Sequence, residues 1–119
     1  MLSVITERAD DLAIVKCRGR IVRGQEIVLE SAVLEQKQAR VILLDLSDVE
    51  ALDAGGLTLL VSLHAWALGA GVELKLVNPQ PFVHEMLTRT RLDNLFDIST
   101  FDSALAVLGC ECRQAHAAC

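Results

Sequence analysis

The chain has 119 residues, 52% of them hydrophobic and 23% charged, and a formal net charge of −5 at pH 7. This length suits a single domain with its own core, and the scattered basic residues argue against direct nucleic-acid binding. No apolar run approaches the roughly 20 residues of a membrane helix, and the N-terminus lacks the pattern of a secretion signal. We therefore expect a cytoplasmic protein that has no membrane insertion and no disulfides.

The first half of the chain predicts a β-hairpin, a helix and a buried strand. The stretches SVITER and LAIVKCRG flank the turn signal at Asp10 and Asp11. Cys17, in the second of these stretches, is expected to be a small core residue. Residues 25–40 have the mixed apolar and charged pattern of an amphipathic helix. The run VILLDL, at 41–46, is typical of a central strand with neighbours on both edges.

The second half predicts helices separated by short strands. A helix over about 54–69 is followed by Gly71, which can adopt the left-handed conformation of a helix C-terminus. The strand VELKLVNP follows, and PFVHEMLTRT, at 81–90, predicts a short helix with a proline at its start. TFDSALAVLG, at 100–109, predicts a fourth helix. The order β-β-α-β-α-β-α-(β)-α belongs to the α/β class.

Several motifs along the chain resemble those of the STAS domain, the sulfate transporter and anti-sigma factor antagonist domain. They are DLS at 45–47, DAGGL at 53–57, a glycine followed by a strand ending in NP at 71–79, and LDNLF at 92–96. The resemblance implies a STAS-like α/β fold, with a mixed β-sheet of about four to five strands and about four helices packed mainly on one side. It also implies one domain over 1–109, which leaves residues 110–119 as a tail.

The resemblance implies a function as well. Free-standing bacterial STAS proteins are anti-sigma factor antagonists, which bind an anti-sigma factor, usually a serine kinase, and so release a sigma factor. We therefore expect a non-catalytic interaction module that needs no cofactor and could form a homodimer. Alternatives are a STAS subunit of another assembly, such as a lipid-transport ATPase partner or a stress-signalling scaffold.

One departure from the family pattern concerns phosphorylation. In the phosphorylation-controlled members, a Ser or Thr follows the motif's Asp at the first or second position. Here these degenerate phospho-acceptor positions are Ala54 and Gly55, neither of which has a hydroxyl. The unphosphorylated form is the one that binds, so the resemblance implies an antagonist that is locked in its binding state.

The same stretch can be interpreted from helix chemistry alone. Asp53 is a candidate N-cap whose carboxylate accepts hydrogen bonds from the amides of Gly55 or Gly56. Each glycine costs a helix about 1 kcal/mol relative to alanine, so the pair needs a reason. It could let a partner's backbone approach closely or let the loop adopt positive φ. Alternatively, the free amides could bind a phosphate or nucleotide in a sensor, although no lysine follows as in a phosphate-binding loop.

Helical periodicity divides the 54–69 helix into two faces. The face expected to meet the sheet consists of Leu57, Leu60, Val61, His64 and Leu68. The opposite face carries the chain's single Trp and small residues, a composition typical of a protein interface. The predicted partner-binding residues are Asp53, Ala54, Gly55, Gly56, Thr58, Leu59, Ser62 and Trp66. Trp66 could instead be covered by a neighbouring helix, and Thr58 and Ser62 could be plain surface hydroxyls or substitute phosphorylation sites.

The sequence gives little support for catalysis. A group of carboxylates lies between a strand and a helix, where α/β proteins often place their chemistry; these are Asp45, Asp48, Glu50 and Asp53. Only Lys75 is near them in topology, no Ser-His-Asp arrangement is recognisable, and His64 is expected to be half-buried. We therefore expect no enzyme activity.

The C-terminal tail contains potential zinc ligands, namely Cys110, Cys112, His116 and Cys119. The spacing of its first two cysteines is tighter than that of the usual zinc-finger pair. We therefore expect a poorly ordered, reduced tail and no metal site.

Overall fold

A computed structural model of the protein describes residues 2–99, which form a five-stranded β-sheet and three helices. The elements in chain order are β1 (Leu2–Ala9), β2 (Leu12–Ile21), α1 (Glu26–Leu34), β3 (Val41–Leu52), α2 (Ala54–Ala70), β4 (Glu73–Val77), α3 (Pro81–Arg89) and β5 (Asp97–Ser99). The α/β class is confirmed. The predicted fourth helix and the tail lie outside the described residues. None of the helices within residues 2–99 is long and apolar enough to cross a membrane.

The sheet is mixed and follows the order of the chain. β1 pairs with β2 in antiparallel fashion, as the predicted hairpin requires, and β2 to β5 are parallel neighbours. Right-handed connections between successive parallel strands place their helices on one face of the sheet. Accordingly, Leu29 of α1, Leu60 of α2 and Val83 of α3 share one core cluster. Leu43 and Val77 form a separate cluster, on the opposite face.

β3 is the central strand, as its apolar run predicted, but it is longer than expected. The prediction ended it at residue 46, whereas the strand continues to Leu52. Beyond Asp45, its strand partner among residues 2–99 is the end of β2, and two register shifts in that pairing mark bulges. At the first shift, Asp45 Oδ1 accepts a hydrogen bond from the Ser47 amide at 3.0 Å. The polar residues of this extension resemble a loop in sequence, because within the described part of the chain β4 no longer pairs with it.

The boundaries of the helices agree only in part with the sequence. α1 was predicted over 25–40 but ends at Leu34, after which tighter turns lead to Ala39, which is buried. The polar residues that continue the helical pattern lie in these turns. α3 begins at Pro81 as predicted, and Gly71 has the predicted left-handed conformation, with φ of 73°.

Cys17 is a core residue, as predicted. Its side chain is fully buried in β2. Burial, with a smaller contribution from the negative charge of Asp45, raises the pKa of the Cys17 thiol to about 12. Because the thiolate is the reactive form, this cysteine is chemically inert at neutral pH.

Candidate functional site

The N-terminus of α2 is organised by Asp53. This residue has the extended conformation of an N-cap, and its Oδ1 accepts a hydrogen bond from the Gly56 amide at 2.8 Å. Its Oδ2 accepts a second bond, at 3.1 Å, from the Arg23 amide in the loop between β2 and α1. The bonds from Arg23 and Gly56 hold the pKa of the Asp53 carboxyl below its ordinary value of 3.8. The predicted N-cap is confirmed.

The cap also bears on the phosphate-sensor alternative. A phosphate at the start of α2 would have to use the amides and the positive end of the helix dipole. The Asp53 carboxylate already occupies this position and is bonded on both oxygens. The described geometry therefore gives the sensor no support.

Gly56 allows α2 to begin directly against the end of β2. A Cβ atom at this position would lie 2.1 Å from the Ile21 carbonyl oxygen and 2.6 Å from Leu52 Cδ1. The backbone that approaches Gly56 is therefore that of the chain itself, and Gly56 is buried. Neither Gly55 nor Gly56 has positive φ, so that part of the prediction was wrong: both are ordinary helical residues.

Gly55 is less crowded than Gly56, although a side chain there would still be in tight contact. A Cβ atom here would lie 3.3 Å from Asp53 Oδ1 and 3.4 Å from Arg23 Cβ, which are both side-chain atoms. Gly55 is partly exposed and Ala54 is exposed. Of the two positions at which the resemblance places the phospho-acceptor, position 54 is thus the more open, and the chain presents no hydroxyl at either.

The predicted division of α2 into two faces was partly wrong. The buried residues are Gly56, Leu59, Leu60, Leu63 and Ala67. Leu59, predicted to bind a partner, is only 5% exposed, whereas Leu68, predicted to face the sheet, is 69% exposed. Almost every stripe along this helix contains leucine, so periodicity provides little contrast. The contact of Gly56 with β2 determines which stripe faces the core.

The remaining predicted residues of α2 lie at or near its surface. Thr58 and Ser62 are exposed, and Thr58 Oγ1 donates a hydrogen bond to the Ala54 carbonyl at 2.9 Å. Trp66 is partly buried and packs against the main core, so it is neither fully covered nor fully exposed for a partner. His64 is half-buried as predicted, with its ring edge-on to that of Phe96 at a centroid distance of 5.3 Å.

Sequence reasoning missed two residues outside α2. Arg23 contributes its amide to the cap and lies against Gly55. Ile27, in the first turn of α1, has 77% of its surface exposed. The signal for Ile27 was present in the sequence: three apolar residues in succession, at 27–29, cannot all face one core from a helix.

The carboxylates that the sequence groups before α2 do not converge: three of them lie within β3, and only Asp53 lies between β3 and α2. Asp45 and Asp53 each bind backbone amides, whereas Asp48 and Glu50 line an open cleft of about 470 Å³. The other lining residues are Arg18, Val49, Gln80 and Phe82. Within residues 2–99, no group of three or more His, Cys, Asp or Glu side chains is placed to hold a metal ion. The four potential ligands of the tail lie outside this range.

The described architecture is similar to that of known anti-sigma factor antagonists. One, from Mycobacterium paratuberculosis, has 26% identity and a TM-score of 0.79, with 90% of this chain and 93% of that chain covered. A putative one from Thermotoga maritima has 25% identity and a TM-score of 0.79, with coverage of 87% and 92%. SpoIIAA in its unphosphorylated form shares the fold at 13% identity and a TM-score of 0.74, with coverage of 89% and 96%.

Sequence comparison gives the family directly. No curated protein sequence gives a significant match. Residues 3–105, however, match the STAS domain. Because this match spans most of the chain and agrees with the fold, the chain belongs to the STAS domain family.

Proposed function

We propose that this protein is an anti-sigma factor antagonist, which binds an anti-sigma factor and thereby releases a sigma factor without any catalysis of its own. Membership of the STAS family supports this proposal, as does the 26% identity to the antagonist from Mycobacterium paratuberculosis over 90% of this chain. No specific observation favours the lipid-transport or scaffold alternative.

The proposed binding surface is the exposed start of α2 together with the neighbouring loop and the first turn of α1. Ala54, Thr58 and Ser62 are exposed on α2. Arg23 lies against Gly55, and α1, which follows that loop, packs against α2. Ile27 provides an exposed apolar side chain of the kind that anchors protein interfaces. Because Gly56 and Leu59 are buried, they support this surface from below.

The observation that carries the regulatory part of the proposal is the exposed methyl group of Ala54 at the first position of α2. With no hydroxyl here or at Gly55, an anti-sigma kinase has no acceptor at the family's usual place. A phosphate added at this turn would stand beside the Asp53 carboxylate and compete with it for the helix amides. We therefore expect binding to the anti-sigma factor to be insensitive to ATP-dependent phosphorylation.

The proposal can be tested by affinity capture from native cell extract, with the captured proteins identified by mass spectrometry. The proposal requires that an anti-sigma factor is captured. It also requires that adding this protein to the complex of that factor with its sigma factor releases the sigma factor. Ile27→Ser should weaken capture at least tenfold, whereas Ile5→Ser, at an isoleucine that is 61% exposed on β1, should not. Recovery of transporter subunits in place of an anti-sigma factor would contradict the proposal.

The missing switch has its own test. Ala54→Ser should bind the same anti-sigma factor and, if that factor is a kinase, should become phosphorylated and dissociate when ATP is added. The wild type should stay bound under the same conditions. ATP-dependent release of the wild type would show that another residue, such as Thr58, has become the acceptor.

A further inference from the structure

The extension of β3 has one open edge. β2 pairs with β3 as far as Leu52, whereas β4 pairs with it only as far as Asp45. Within residues 2–99, no backbone group donates to or accepts from the β4 side of this extension. Its one described partner there is the Gln80 side chain, whose Nε2 donates to the Ser47 carbonyl. Unpaired strand edges of this kind can bind an additional strand.

The open edge faces a cleft that can admit such a strand. The wall opposite the edge is the start of α3, which contributes Gln80 and Phe82. The six residues 47–52 span about 20 Å at roughly 3.3 Å per residue, which is enough for a short strand. Along the edge the buried Val49 stands between two exposed carboxylates, Asp48 and Glu50.

We propose that residues 47–52 bind an extended, basic segment of a partner protein by strand addition. An added strand would lie about 4.8 Å from β3, so its side chains would be the direct neighbours of Asp48 and Glu50, which attract positive charge. Neither carboxylate forms an ion pair within residues 2–99. Arg18, the register partner of Asp48 on β2, also lines the cleft, so the two carboxylates outnumber the one basic side chain there.

The charges also make a second copy of this chain a less favourable occupant. Pairing of the edge with itself would place the carboxylates of both copies beside one another, and like charges across strands destabilise a sheet. The edge is continuous with the proposed antagonist surface, because Leu52 directly precedes the Asp53 cap. Strand addition nevertheless goes beyond the proposed function, since it can be measured with a free peptide whatever protein the partner is.

The first experiment is an NMR titration of the full chain with the hexapeptide Lys-Val-Lys-Val-Lys-Val, blocked at both ends. Binding should shift the amide signals of residues 47–52 and slow their hydrogen exchange. Two control peptides should bind at least tenfold more weakly: one has proline in place of the central valine, which removes a strand donor, and one has glutamate in place of lysine. Equal binding of the proline peptide, or no binding at millimolar concentration, would overturn strand addition.

The second experiment reverses the charge of the edge. The double variant Asp48→Lys with Glu50→Lys should bind the lysine peptide at least tenfold more weakly than the wild type and should bind the glutamate peptide more tightly. A matched control, Glu30→Lys with Glu35→Lys, makes the same change in net charge at exposed positions beyond the edge, in α1 and just after it. If both double variants lose the lysine peptide equally, net charge alone attracts the peptide and the edge is not its site.

Discussion

The Arg23 amide donates a hydrogen bond to Asp53 Oδ2 at 3.1 Å, and this bond joins two loops that are 30 positions apart in sequence. The other oxygen of the same carboxylate caps α2 through Gly56. One side chain therefore fixes the entrance of α1 relative to the entrance of α2. The proposed antagonist surface is built from these two entrances, so its shape depends on Asp53.

We predict that Asp53→Ala destabilises the protein at neutral pH, because it removes the cap and leaves the Arg23 amide without its acceptor. Asp53→Asn should be less harmful, since it keeps an oxygen acceptor but loses the charge at the helix N-terminus. Urea unfolding monitored by circular dichroism should give midpoints in the order wild type, Asn, Ala. An Ala variant as stable as the wild type would show that the cap is dispensable.

The lowered pKa of Asp53 predicts an acid-dependent loss of stability. Because the folded-state pKa is below the ordinary value of 3.8, the unfolded chain binds the proton more readily in the intervening range. The stabilisation is therefore present above pH 3.8 and is lost as the pH falls from there through the folded-state value. Urea midpoints of wild type and Asp53→Asn should converge over this window. A constant gap would indicate that the Asp53 charge is not responsible.

The two glycines of α2 should respond differently to the same substitution. Gly56→Ala forces a Cβ atom to 2.1 Å from the Ile21 carbonyl oxygen, so we expect a loss of about 1–3 kcal/mol, as for other overpacked sites. Gly55→Ala gains up to about 1 kcal/mol of helix propensity, but its Cβ atom would lie 3.3 Å from Asp53 Oδ1 and 3.5 Å from the backbone of Arg23. We therefore expect a smaller loss than for Gly56→Ala. Thermal and urea unfolding of both variants test this difference, and equal losses would contradict it.

Leu59 and Leu68 form a matched pair on α2 that tests the corrected orientation of the helix. Leu59 is 5% exposed and Leu68 is 69% exposed. Leu59→Ala should cost about 2–5 kcal/mol, the range for buried leucines, whereas Leu68→Ala should change stability by no more than about 0.5 kcal/mol. If urea unfolding showed Leu68→Ala to be the more destabilising variant, the orientation expected from periodicity would be correct.

The predicted domain boundary at residue 109 can be tested by truncation. Leu43 and Val77 are fully buried on the face opposite the helices, although their cluster includes no residue of α1, α2 or α3. We propose that residues 100–109 belong to the domain, because the STAS match extends to residue 105. A chain that ends at Gly109 should then unfold like the full chain, and one that ends at Ser99 should be clearly less stable. Equal stability of the two truncated chains would contradict the proposed boundary.

Strands and helices were predictable wherever the local sequence pattern agrees with the tertiary environment. VILLDL is apolar on both faces and lies in the centre of the sheet, and PFVHEMLTRT begins its helix at a proline as helix chemistry requires. The Asp53 cap was predictable for the same reason, because a cap is a contact between near neighbours in sequence.

The rest depends on contacts between distant residues. The length of β3 follows from its pairing with β2 as far as Leu52, which the polar sequence of the extension conceals. The orientation of α2 follows from the approach of Gly56 to Ile21, since the leucines alone fit several orientations. Arg23 escaped notice because a backbone amide can be supplied by any residue type except proline.

Because of the contact between Gly56 and Ile21, mutation can change other positions in the first turn of α2 but not position 56. A side chain at 56 would meet the backbone, whereas Ala54 faces outward. A codon for alanine becomes one for serine through a single base change. If the proposed function is correct, a lineage carrying this protein is one point mutation away from placing its antagonist under kinase control, and reversion would release it again.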